Sequence, residues 1–168
     1  MDAQAFWDVI GAYNQHTIAL QMIVMVLLLV AATLSYAGKV RWAAKAALGV
    51  ANLFIGIVFF GVYGTEPIQK FFALPLYLCC SVLFFVECFR RQNDALDKPN
   101  KLQAFLLILY LLYPAISLLL GNRFPQMVTH VMPCPIASLS IAVYAGYQNK
   151  SKLLLVLLTI WGLTGVKA

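Results

Sequence analysis

Six apolar runs, five close to the length of a membrane crossing and the last one shorter, take up most of this chain. They cover about residues 18–36, 43–63, 71–89, 102–120, 128–147 and 153–166. A helix needs roughly 20 consecutive apolar residues to cross the hydrocarbon core. The runs are apolar on every side and lack the alternation of a barrel strand. The segments between them, 37–42, 64–70, 90–101, 121–127 and 148–152, are too short to hold a soluble domain and force neighbouring helices antiparallel. The expected fold is therefore all-α, a single transmembrane domain over residues 1–168.

Composition agrees. The 168 residues are 62% hydrophobic and 11% charged, against about half and about a quarter in soluble domains. The net charge of +6 would suggest nucleic acid in a soluble protein. Here the basic residues sit in short loops between apolar runs, which is a membrane-topology pattern. The lipid bilayer is the expected partner and nucleic acid is not. The first 17 residues carry no Lys or Arg, so the positive region of a signal peptide is missing. Phe6, Trp7 and Tyr13 there suit an interfacial aromatic belt.

Charge sets the expected orientation. One side carries Lys39, Arg41, Lys45, Arg90, Arg91, Lys98, Lys101, Lys150 and Lys152, the other Lys70, Arg123 and Lys167. The richer side belongs in the cytoplasm. Both termini then lie outside, in an inner (cytoplasmic) membrane of bacterial type.

Several positions break the apolar pattern. In the fifth run two prolines flank Cys134. Each lacks an N–H and biases the residue before it away from helical backbone. The helix is expected to start at Pro135, with Cys134 as N-cap and residues 130–134 irregular. Such backbone survives at membrane depth only where protein or water surrounds it. The bland alternative is a proline-shaped helix start with a small buried cysteine. In the second run Gly49, Asn52, Gly56 and Tyr63 share one face, which reads first as a helix–helix seam; Cys134, Ser138 and Ala142 form a second stripe. Cys79 and Cys80 are adjacent and make no CxxC pair. Glu87 stands one turn from Arg90 and Arg91, and an i,i+3 or i,i+4 pair accounts for it. Pro114 frees the carbonyl of Tyr110 and should kink the fourth helix. His130, Met132 and Cys134 could supply part of a soft-metal site, but the helix start breaks their spacing. With no HExxH, glycine-rich phosphate loop or Ser-His-Asp order in the chain, the sequence names no cofactor and no metal.

The combination of Tyr13-Asn14 before the first run, Leu109 to Pro114 with its Tyr-Pro, Gly121 to Pro125, Pro133-Cys134-Pro135 and Trp161-Gly162 resembles a family of small bacterial inner-membrane proteins of unknown function. The resemblance covers nearly the whole chain, and Pro-Cys-Pro is its most specific part. It implies a membrane location and a special status for Cys134, but no activity. In that family the position of Asn122 is often a histidine in a Gly-His-x-Tyr-Pro run. Here the run is Gly-Asn-Arg-Phe-Pro, which argues against a shared metal site in the outer loop.

Three functional readings remain open. The first is small-solute binding or transport at an outward-facing site formed by Asn14, Tyr113, Arg123, His130 and Cys134, with Arg123 attracting an anion. The second is an accessory subunit of a membrane complex, partnered by another membrane protein or by a second copy of the chain. The third is a membrane thiol enzyme centred on Cys134, which lacks a resolving cysteine on the outer side.

Overall fold

The computed structural model describes residues 3–164. Lys167 and the end of the sixth run lie outside the described residues. The order is α1 (Ala3–Tyr36), α2 (Ala43–Phe54, continued by a π-helix over Ile55–Tyr63), α3 (Leu74–Arg90, preceded by a π-helical turn over Gln69–Ala73), α4 (Lys101–Leu119), α5 (Pro133–Tyr144) and α6 (Lys152–Thr164). The described residues contain no strand, only an isolated antiparallel bridge between Leu96 and Tyr147. Four helical segments, Gln4–Tyr36, Ala43–Tyr63, Gln69–Arg90 and Lys101–Leu119, are long and apolar enough to cross a membrane. Pro133–Tyr144 and Lys152–Leu163 are apolar but shorter.

Helix α1 begins well before the apolar run that announces it. Ile10, Tyr13, Asn14, Thr17 and Gln21 recur every three or four residues and are all buried. They form one helical face, and that face packs on the loop before α5. A packed face rather than hydrophobic length makes this first stretch helical.

The α2–α3 seam follows the small residues of α2. A Cβ added at Gly49 would stand 3.1 Å from the Phe85 ring, and one at Gly56 would stand 3.3 Å from Tyr77 Cβ. Ser81 Oγ reaches across to donate to the Gly49 carbonyl at 2.8 Å. Asn52 turns toward α5, donating to Leu48 O at 2.8 Å and to Ser140 Oγ at 3.1 Å. Its Oδ1 is buried without a partner. The π-helical half of α2 carries Phe59 and Phe60, both buried. They join Tyr13, Tyr77 and Trp161 in a chain of ring contacts with centroids 5.0–5.4 Å apart.

The fifth helix starts late, but not where the two prolines first suggest. It begins at Pro133, with Met132 at the N-cap, and Cys134 lies inside the first turn. The first intrahelical bond runs from Ile136 N to Met132 O at 2.9 Å. First-turn residues have no intrahelical acceptor in any case, so both prolines fit there without losing a bond. Cys134 is then the only one of the first three helical residues with an N–H, which removes the cluster of orphan donors expected around it.

Candidate functional site

The helix ends form two polar clusters, one around the loop before α5 and one where the basic loops meet.

At the first, the irregular backbone of residues 121–132 is tied down by side chains from α1 and α3. Asn14 Nδ2 donates to Pro125 O at 2.7 Å and to Met127 O at 2.8 Å. Asn14 Oδ1 accepts from Gln21 Nε2 at 3.1 Å and from Thr129 Oγ1 at 3.4 Å. Thr129 Oγ1 also lies 2.7 Å from Gln21 Oε1. Tyr13 donates to Val131 O and Tyr77 to Pro133 O, each at 2.7 Å. A buried carbonyl left alone is costly, and these groups satisfy four of them.

The five residues that the sequence suggests for this end stand in different settings. Asn14 is wholly buried and committed to the chain's own backbone. His130 is half-buried, its ring 5.2 Å from that of Tyr110. Tyr113 is half-buried on α4, and Arg123 and Cys134 are exposed. Among the described residues no hydrogen bond joins any two of the five. Cys134 does not cap α5, because Met132 holds the N-cap and Cys134 lies in the first turn. The described residues contain no group of three or more His, Cys, Asp or Glu side chains able to hold a metal. The four cysteines are free thiols; Cys80 and Cys88 are buried, Cys79 and Cys134 exposed.

The second cluster is built on a buried ion pair. Lys45, in the first turn of α2, is wholly buried, and its Nζ lies 3.3 Å from Asp94 Oδ2. The same ammonium donates to Arg91 O at 3.3 Å and stands 4.3 Å over the Tyr147 ring. Asp94 is held from its other side by Asn149, whose backbone N and Nδ2 both donate to Oδ1 at 3.1 Å. Tyr147 donates through its hydroxyl to Arg41 O at 2.7 Å, and Arg41 Nη1 to Asn93 O at 3.0 Å. Backbone bonds from Gln148 N to Ala95 O and from Asp97 N to Gly146 O complete the frame. The loops after α1, α3 and α5 thus meet in one structure. Lys150 Nζ donates to Ala145 O and Tyr147 O just past the C-terminus of α5, where the helix dipole favours a cation.

An open cavity of about 600 Å³ lies on this frame, lined by Arg41, Phe89, Arg90, Arg91, Asp94 and Asn149 among others. Arg91 makes the expected i,i+4 pair with Glu87, at 3.3 Å. Arg90 has no hydrogen bond or ion pair among the described residues. Apart from the Glu87–Arg91 pair, the sequence reading counts Arg41, Arg90 and Arg91 only as loop charge. Lys45 did carry a signal: a charge set among alanines in an apolar run must find a partner. Its partner, 49 residues away, leaves no local trace.

The architecture defines an all-α protein rich in helices able to cross a membrane, with a cationic cavity at one end. The chain belongs to the family of unknown function DUF6064, which matches residues 3–168. No curated protein and no solved structure matches it.

Proposed function

We propose that this chain is a six-span integral protein of the bacterial inner membrane, with both termini outside. We propose further that it binds a small anionic molecule at its cytoplasmic end. The bias of basic residues toward one end supports the orientation. Helix α5, with 12 residues, is only about 18 Å long, short of a core of about 30 Å. The preceding stretch supports a full crossing, because Val131 and Met132 are buried and the carbonyls of Met127, Val131 and Pro133 are capped by Asn14, Tyr13 and Tyr77. Non-helical backbone is tolerated at membrane depth under such cover. A cysteine added before Asp2, labelled by an impermeant reagent only after permeabilisation, would sink the orientation.

One observation carries the binding reading: the roughly 600 Å³ cavity with three arginines on a rigid frame. Asn14 is committed to holding the outer loop, so we locate binding or transport of a small solute at the basic end. The test is a thermal-shift series on the purified protein at constant ionic strength, exchanging chloride for sulfate, phosphate and small carboxylates. A ligand of the native state raises the melting temperature. An unchanged melting temperature across the series counts against the reading.

The accessory-subunit reading has its own support in α4. Only 17% of its apolar window is buried, and Leu102, Phe105, Leu111 and Leu119 are exposed. This face meets either lipid or a second membrane protein. Mass measurement of the detergent-solubilised chain separates monomer from assembly.

A further inference from the structure

We propose that the ligand of the basic-end cavity is the phosphate of an anionic membrane lipid; this rests on the anion-site reading above. The charge of the cavity supports it. Asp94 is the one carboxylate on the wall, and it is neutralised by Lys45 and capped by Asn149. Of the other nearby carboxylates, Glu87 pairs with Arg91 and Asp97 accepts from Gln148 Nε2 at 3.1 Å. Among the described residues, Arg41 and Arg90 therefore face the opening without a carboxylate partner, while Arg91 shares its charge with Glu87. Arg41 is steadied by Asn93 O and Arg91 by Glu87, while Arg90 has no partner among the described residues. Guanidinium groups are suited to phosphate oxygens, which they meet with paired N–H donors.

The surroundings favour a phosphate that carries an apolar tail. Phe89 lines the same cavity and is 73% exposed. It closes a helix apolar enough to cross a membrane, so the arginines sit at headgroup level and the ring at the edge of the acyl region. Basic pockets between spans on the cytoplasmic side bind acidic head groups by this arrangement. The buried frame beneath keeps the wall in place before any ligand arrives, which lowers the cost of ordering it.

The experiment uses the full chain in a neutral detergent, with phosphatidylglycerol, phosphatidylcholine or inorganic phosphate added at matched ionic strength. Melting temperature and native mass spectrometry are read together. Phosphatidylglycerol is expected to raise the melting temperature and to stay bound, and phosphatidylcholine is not. Arg90→Gln, which removes no internal contact, is expected to weaken phosphatidylglycerol binding about fivefold, in line with one basic residue at an anionic surface, and to leave the melting temperature without lipid unchanged. Equal retention of the two lipids overturns the proposal, as does equal affinity in Arg90→Gln. A shift with inorganic phosphate as large as that with lipid moves the phosphate to a soluble source and overturns the lipid assignment. Binding of sulfate or carboxylates but no phosphate overturns this inference and leaves the anion site standing; binding of no anion overturns both.

Discussion

Lys45 Nζ and Asp94 Oδ2 stand 3.3 Å apart, and the two side chains are 0% and 2% exposed. Removing one member of such a pair strands a charge, at a cost of about 3–5 kcal/mol. Asp94→Asn is expected to destabilise the protein by that order, measured by denaturant unfolding in mixed micelles. Adding Lys45→Met should return part of the loss, because the stranded ammonium goes with it. A single-variant loss below about 0.5 kcal/mol, the range of an ordinary surface change, would refute the structural role of the pair.

Asn14 closes the other end. Asn14→Ala leaves the carbonyls of Pro125 and Met127 without their donor, at about 1–3 kcal/mol for each buried group. The loss should be local first. Hydrogen exchange is expected to speed up at the amides of residues 126–131 and to stay unchanged at those of 94–97. Uniform acceleration at both ends would contradict a local tie.

The seam between α2 and α3 has no room at Gly49, where a new Cβ meets the Phe85 ring at 3.1 Å. Gly49→Leu should destabilise by about 1–3 kcal/mol through overpacking. Phe85→Ala in the same chain should relieve part of it. Two independent, additive losses in the double variant would remove the steric explanation.

Much of this architecture can be read from the residues, for reasons that differ by element. Hydrophobic length announces the long helices, and Glu87–Arg91 is visible because i,i+4 neighbours meet on any helix. Gly49, Asn52 and Gly56 announce a seam because small and polar residues on an apolar helix need a neighbour. The start of α5 is signalled by its prolines but shifted from Pro135 to Pro133, since the first turn accepts both. Lys45, Asp94, Tyr147 and Asn149 are a different case. Their meeting depends on three loops arriving at one place, and no local spacing encodes that. Tyr113, Arg123 and His130 are distinctive in the sequence, yet no hydrogen bond joins them to one another or to Asn14 among the described residues.

Thiol chemistry separates the four cysteines. In detergent, a small maleimide is expected to modify Cys134 and Cys79, both exposed, faster than Cys80 and Cys88, both buried. Cys134→Ala should change stability by less than about 0.5 kcal/mol, as for surface substitutions generally. Cys134 reacting more slowly than Cys80 would contradict this difference in exposure.

The ion pair also carries a consequence for synthesis. A chain emerges from its N-terminus onward, so Lys45 is made first, Asp94 next and Asn149 last. A chain that ends before Asn149 lacks the two groups that donate to Asp94 Oδ1 from that side. The last donors to the Asp94 carboxylate are thus encoded beyond α5. One carboxylate therefore ties the start of the second helix to the segment that follows the fifth.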